Sequence, residues 1–142
     1  MNNPAKKTEN KIASEVAEQE FNRFVDAMDL DVDPDGMDEE DLKGFETQKQ
    51  RVIEAIKQGI LVINDDGEPV FTPQRTQDIE SITFYEPTGA SLMAMDRRKK
   101  NEDMAKMYAL MGSITKVHAN TFAKMKMSDL KVCQAITILF LA

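Results

Sequence analysis

Apolar side chains first recur at helical spacing after Ser14. Ala17, Phe21, Phe24 and Met28 follow one another at steps of three and four, with Val25 beside them, and Ser14 can cap the helix they define. The pattern stops in Asp29-Leu30-Asp31-Val32-Asp33-Pro34-Asp35-Gly36. Nine of the sixteen residues from Asp26 to Asp41 are acidic and none is basic, so an extended, solvated stretch is expected there. A second helix is predicted over about 38–58, with Leu42, Phe45, Val52, Ile53 and Ile56 inward and Gly59 placed to end it. The period then falls to two. Ile60 to Ile63 reads as a strand, Asn64-Asp65-Asp66-Gly67 as a hairpin turn, and Val70 to Thr72 as the return strand. Ser81 to Tyr85 is a third strand, stopped by Pro87. Beyond Pro87 the helical period returns. A short helix over about 90–100 turns Leu92 and Met95 inward. The next, begun by Asn101 or Asp103, places Met104, Met107, Met111, Ile114 and His118 on one face. Ser128-Asp129 caps a last helix carrying Leu130, Cys133, Ile136 and Phe140. The fold class is therefore mainly α, with a small antiparallel β hairpin or three-strand element preceding a C-terminal helical cluster.

Charge divides this chain of 142 residues more sharply than its total of −7 suggests. Residues 1–46 carry 5 basic and 14 acidic side chains, residues 47–90 carry 4 and 7, and residues 91–142 carry 9 and 4. An acidic portion thus precedes a mildly basic one, the pattern of an interaction tail or of a contact between the two portions. It suggests an acidic N-terminal extension over 1–46, with one or two helices and a flexible linker, and a principal domain over 47–142. Residues 1–11, polar and without periodicity, read as an unstructured start. The overall acidity disfavours nucleic acid and anionic lipid as partners. The start has no apolar stretch of a signal peptide, and the longest apolar run, 132–141, is too short to cross a bilayer. A soluble intracellular protein is expected.

Few residues offer chemistry. Asp31-x-Asp33-x-Asp35-Gly36 resembles the first half of a calcium loop, but the twelfth position, where a bidentate Glu belongs, is Leu42. An acidic linker is the simpler reading. Cys133 and His118 are the sole Cys and His, and both fall on apolar helix faces. No glycine loop for phosphate follows a strand. Neither an enzyme nor a cofactor is expected. Two features point to a protein partner instead. Arg97-Arg98-Lys99-Lys100 is the one basic cluster, and seven of the ten methionines lie between Met93 and Met127. Met adapts to irregular apolar surfaces. Met104, Met107 and Met111, together with Arg97, Arg98, Lys99 and Lys100 just upstream, are the candidate partner-binding residues.

One stretch goes beyond composition. Ile82-Thr83-Phe84-Tyr85-Glu86-Pro87-Thr88-Gly89-Ala90-Ser91-Leu92 resembles the strand, Glu-Pro-Thr turn and following helix of tailed-phage tail assembly chaperones. The helix over 104–118, a connector bearing Phe122, and Met127-Ser128-Asp129 leading to Ile136-Thr137-Ile138-Leu139-Phe140 are also similar to that family. His118-Ala119-Asn120 stands where the family has a glycine-bearing turn. The resemblance covers roughly residues 60–142. It implies a non-enzymatic protein of the host cytoplasm, absent from the mature virion. Such a protein would keep the tape measure protein soluble until tail tube subunits assemble around it. The tape measure protein is then the expected partner, with the tail tube protein and a homo-oligomer as further possibilities. A structural tail accessory retained in the virion, or a small helical regulatory adaptor, are the alternative readings.

Overall fold

The computed structural model describes residues 11–98 and 100–142. The unstructured start expected over 1–11 lies outside it except for Lys11, whose amide donates to the Lys57 carbonyl at 2.8 Å. Helix α1 (Ser14–Ala27) buries Ala17, Phe21, Phe24 and Val25, and Met28 just beyond it, as the periodicity required. Its N-cap is Ala13, so Ser14 already lies within the helix and caps nothing. The acidic linker departs from a simple solvated strand. Its carboxylates are exposed, but Leu30 and Val32 tuck back against the core, and Pro34–Gly36 forms one 3₁₀ turn. The Asp33 carboxylate accepts the Asp35 amide at 3.0 Å.

Helix α2 (Glu39–Lys57) opens on Asp38, whose carboxylate accepts the Asp41 amide at 2.8 Å. Three acids in its first turn suit the positive end of the helix dipole. Only its second half enters the core, through Val52, Ile53, Ala55 and Ile56, while Leu42 and Phe45 stay half-buried. Gly59 ends the helix as predicted. At φ +77° it donates to Ile56, and the next amide, Ile60, reaches back to Ala55. Together these bonds close the helix terminus in the manner glycine favours.

Strands β1 (Leu61–Ile63), β2 (Pro69–Phe71) and β3 (Ile82–Thr83) form an antiparallel meander in sequence order. Leu61 pairs with Phe71, and Phe71 with Ile82. Within the hairpin the Asn64 side chain accepts the amides of Asp66 and Glu68. Gly67 stands at φ +80°, and a Cβ added there would lie 2.2 Å from that of Ala27. The hairpin thus fits against the end of α1 because residue 67 has no side chain. Arg23 of α1 fastens the same contact: its guanidinium donates to the carbonyls of Ile63 and Asn64 at 2.6 and 2.7 Å, and to the Glu20 carboxylate.

Four helices complete the chain: α3 (Gly89–Asp96), α4 (Asp103–Thr115), α5 (Ala119–Ala123) and α6 (Met127–Phe140). Mainly α with a three-stranded antiparallel sheet between helical segments, this is the expected class. Three details differ from the sequence reading. Leu92 points outward, 49% exposed, because Ser91 and Met95 form the inner side of α3. His118 leaves the methionine face because Lys116, in the left-handed conformation, ends α4. The His118 Nδ1 instead accepts the Asn120 amide as the cap of α5. Finally, Lys126 is the N-cap of α6, so Ser128 and Asp129 lie inside its first turn. One hydrophobic cluster joins α1, α2, the sheet and α4 to α6. Phe24 of α1 and Phe140 of α6 meet edge to face, ring centroids 5.4 Å apart. The first helix therefore shares its core with the last.

Candidate partner-binding surface

Helices α3 and α4 pack on each other as a hairpin, joined by the turn that carries the basic cluster. Eight residues make α3 too short to bury much, and it is apolar on nearly every side. Its one buried residue is Ser91, whose Oγ accepts from the Thr88 amide and from the Ser113 hydroxyl of α4, both at 3.1 Å. This polar contact fixes which side of α3 faces in. Leu92 and Met93, 49% and 59% exposed, are left on the other.

The predicted residues separate by depth. Met104, in the first turn of α4, is 52% exposed. Met107 is half-buried against the core, and Met111 is fully enclosed, so the three methionines form a gradient from solvent to interior rather than one outer stripe. Arg97 and Arg98 are exposed; Arg97 closes the C-terminal end of α3, where a cation meets the negative end of the dipole. Lys100 is exposed and its carbonyl accepts the Lys106 ammonium at 3.4 Å. Lys99 lies outside the described residues. Both ion pairs found among the described residues are within single helices, Glu20–Arg23 and Glu54–Lys57, so neither involves the basic turn. The hairpin thus leaves Leu92, Met93 and Met104 exposed, together with Arg97, Arg98 and Lys100. Leu92 and Met93 escaped the sequence reading because helical period alone does not orient a short helix apolar all round. The available signal was Ser91, a hydroxyl four residues before Met95.

A second constellation supports the helix that follows. Asp129 is buried, and its carboxylate accepts the amides of Gln74, Arg75 and Thr76 and the Thr76 hydroxyl at 2.7–2.9 Å. The Thr76 hydroxyl also accepts the Lys126 amide at 2.8 Å, linking the 74–76 loop to the start of α6. Burial pushes the carboxyl upward, but the bonds from Gln74, Thr76 and Arg75 outweigh it and hold Asp129 below the usual carboxylate range. No local pattern announces partners more than fifty residues away.

The remaining chemistry-bearing residues are structural here. Cys133 is enclosed against Met125, and burial, with the Asp129 charge one turn earlier, drives its thiol upward and keeps it protonated. His118 is exposed at the α5 cap. Among the described residues no three His, Cys, Asp or Glu side chains are grouped to hold a metal ion, and no helix is long and apolar enough to cross a membrane.

Comparison with known proteins returns one family. Residues 68–141, from the hairpin turn through α6, match the family described as "Phage tail assembly chaperone proteins, E, or 41 or 14". Neither the curated proteins nor the solved structures gave a match. The matched segment holds β2, β3, the whole α3–α4 hairpin and the Asp129 contact, and it makes up more than half of the chain. The chain belongs to the phage tail assembly chaperone family.

Proposed function

We propose that this chaperone binds the tape measure protein in the host cytoplasm and keeps it soluble while the tail tube assembles, then leaves before the virion matures. The observation that carries this reading is the α3–α4 hairpin, on which Leu92, Met93 and Met104 are exposed, as are Arg97, Arg98 and Lys100 of the turn that joins its helices. A long helical client with exposed apolar stripes needs a surface that is apolar and adaptable, and Met supplies both. The strongly acidic remainder keeps the complex in solution.

Coexpression with a tape measure protein tests this directly. The unmodified chain should keep that protein in the soluble fraction. The triple variant Leu92→Ser, Met93→Ser, Met104→Ser should stay folded by circular dichroism, because these side chains are exposed, yet lose the effect. A folded triple variant that still solubilises the client would place the contact elsewhere. Failure of the unmodified chain would remove the tape measure protein as the partner. Mass spectrometry of purified virions should find the chain absent; a stoichiometric amount would favour the structural-accessory reading.

A further inference from the structure

A cleft of about 550 Å³ lies between α2, the 74–76 loop and the start of α6, and no residue of the α3–α4 hairpin lines it. Ala55, Ile60 and Val132 give it apolar surface. Arg51 of α2 and Arg75 of the loop border it as well, the first half-buried and the second exposed. Among the described residues neither guanidinium forms a hydrogen bond or an ion pair. The carboxylates at the cleft are, by contrast, already engaged. Glu54 accepts from the Lys57 ammonium at 3.2 Å, and Asp129 accepts from its four donors in the loop.

Two unpaired guanidiniums on one cleft stand out in a chain whose net charge is −7. Arg presents a planar fork of donors that matches a carboxylate. Both forks are held on fixed backbone. Arg51 lies within a helix of 19 residues, and the Arg75 amide donates to Asp129 at 2.9 Å, between the bonds from Gln74 and Thr76. Asp129 is thus a positioning residue for Arg75. Such preorganisation lowers the ordering cost of binding an anion there. A small hydrated ion would leave the surface of Ala55, Ile60 and Val132 uncovered. A peptide carrying acidic and apolar side chains together satisfies both parts of the lining. The volume is in the range of small-ligand sites, so it takes a short segment of a chain rather than a broad protein face.

We propose that this cleft docks an acidic peptide segment of a partner protein. Its carboxylates pair with Arg51 and Arg75, and an apolar side chain between them covers Ala55, Ile60 and Val132. The occupant is identified by charge complementarity with the two arginines and by the apolar surface that accompanies them. Because none of the lining belongs to the α3–α4 hairpin, the chain offers two separate contact surfaces, one for an apolar helical client and one for an acidic segment. The acidic contact weakens with salt as the Debye length shortens.

Fluorescence anisotropy of the full chain with a labelled peptide, Asp-Glu-Leu-Glu-Asp, tests this. Saturable binding should appear below about 1 mM peptide. The amide counterpart Asn-Gln-Leu-Gln-Asn should bind about tenfold more weakly, and so should Asp-Glu-Ser-Glu-Asp, which keeps the charges but loses the apolar side chain. The double variant Arg51→Gln, Arg75→Gln should weaken the first peptide about tenfold with an unchanged circular dichroism spectrum. The reversal Arg51→Glu, Arg75→Glu should bind Lys-Arg-Leu-Arg-Lys more tightly than the unmodified chain does, a gain that loss of folding cannot imitate. No binding by the unmodified chain, or binding indifferent to both arginines, would overturn the proposal. Equal binding of the serine peptide, or its displacement by inorganic phosphate at the same concentration, would overturn it in favour of a simple anion site. Tighter binding of a single-stranded oligonucleotide through the same arginines would overturn it in favour of nucleic acid. No tape measure protein enters the assay, so each of these results leaves the chaperone reading standing.

Discussion

Asp129 shows how much one side chain can carry without touching a ligand. Four donors converge on its carboxylate, three of them backbone amides of a loop that would otherwise have unpaired groups beside α6. Its carboxyl is depressed in the folded state. The stability it provides is therefore complete above the unfolded carboxylate value, about 3.9, and is lost as pH falls through the lower folded value. Asp129→Asn should destabilise by about 2 kcal/mol at neutral pH, since an amide cannot accept all four bonds. It should also flatten the acid limb of the urea midpoint plotted against pH. An unchanged limb would mean that other carboxylates govern acid unfolding. Gly67 makes a different residue-scale statement. Gly67→Ala must overlap Ala27 and must hold alanine at φ +80°. The expected cost is about 2–4 kcal/mol by denaturant titration. Adding Ala27→Gly should recover the overlap but not the backbone part, so rescue should be partial.

Among the elements, α1 deserves the sharpest test. Its composition and its position before an acidic linker suggested an extension separable from the rest. Its Phe21 and Phe24 instead sit in the same cluster as Phe71, Phe122 and Phe140. Removing residues 1–36 deletes that contribution and the Arg23 bonds to the hairpin, so the remainder should lose its cooperative thermal transition. Phe24→Ala alone should cost about 3–5 kcal/mol. A truncated chain that melts cooperatively with unchanged helical signal would restore the separable extension. Much of the secondary structure was legible because it follows local rules: the 3–4 spacing of α1, the glycine that closes α2, the turn residues between β1 and β2. What was not legible depends on contacts distant in sequence. Leu92 was assigned inward because helical period alone does not reveal that α3 packs chiefly on α4 through Ser91. Met111 and Met104 look alike on a helical wheel, yet one end of α4 meets the core and the other does not. Asp129 looked like a helix cap because its partners, in the 74–76 loop, are invisible to local pattern.

At the scale of the whole molecule, the family-matched segment shares one core with the elements that precede it. Residues 68–141 contain the hairpin that the proposed function uses, while α1, α2 and β1 close the interior against which α4 and α6 pack. The acidic and basic portions are thus joined through apolar side chains of one cluster. The Arg23 contact has a further consequence for the edge of the sheet. Strand register turns the Ile63 carbonyl away from β2, toward the edge of the sheet where an extended chain would add itself. The Arg23 guanidinium already occupies that carbonyl and the next. The β1 edge of the sheet is therefore stoppered at these two carbonyls against amyloid-like strand addition.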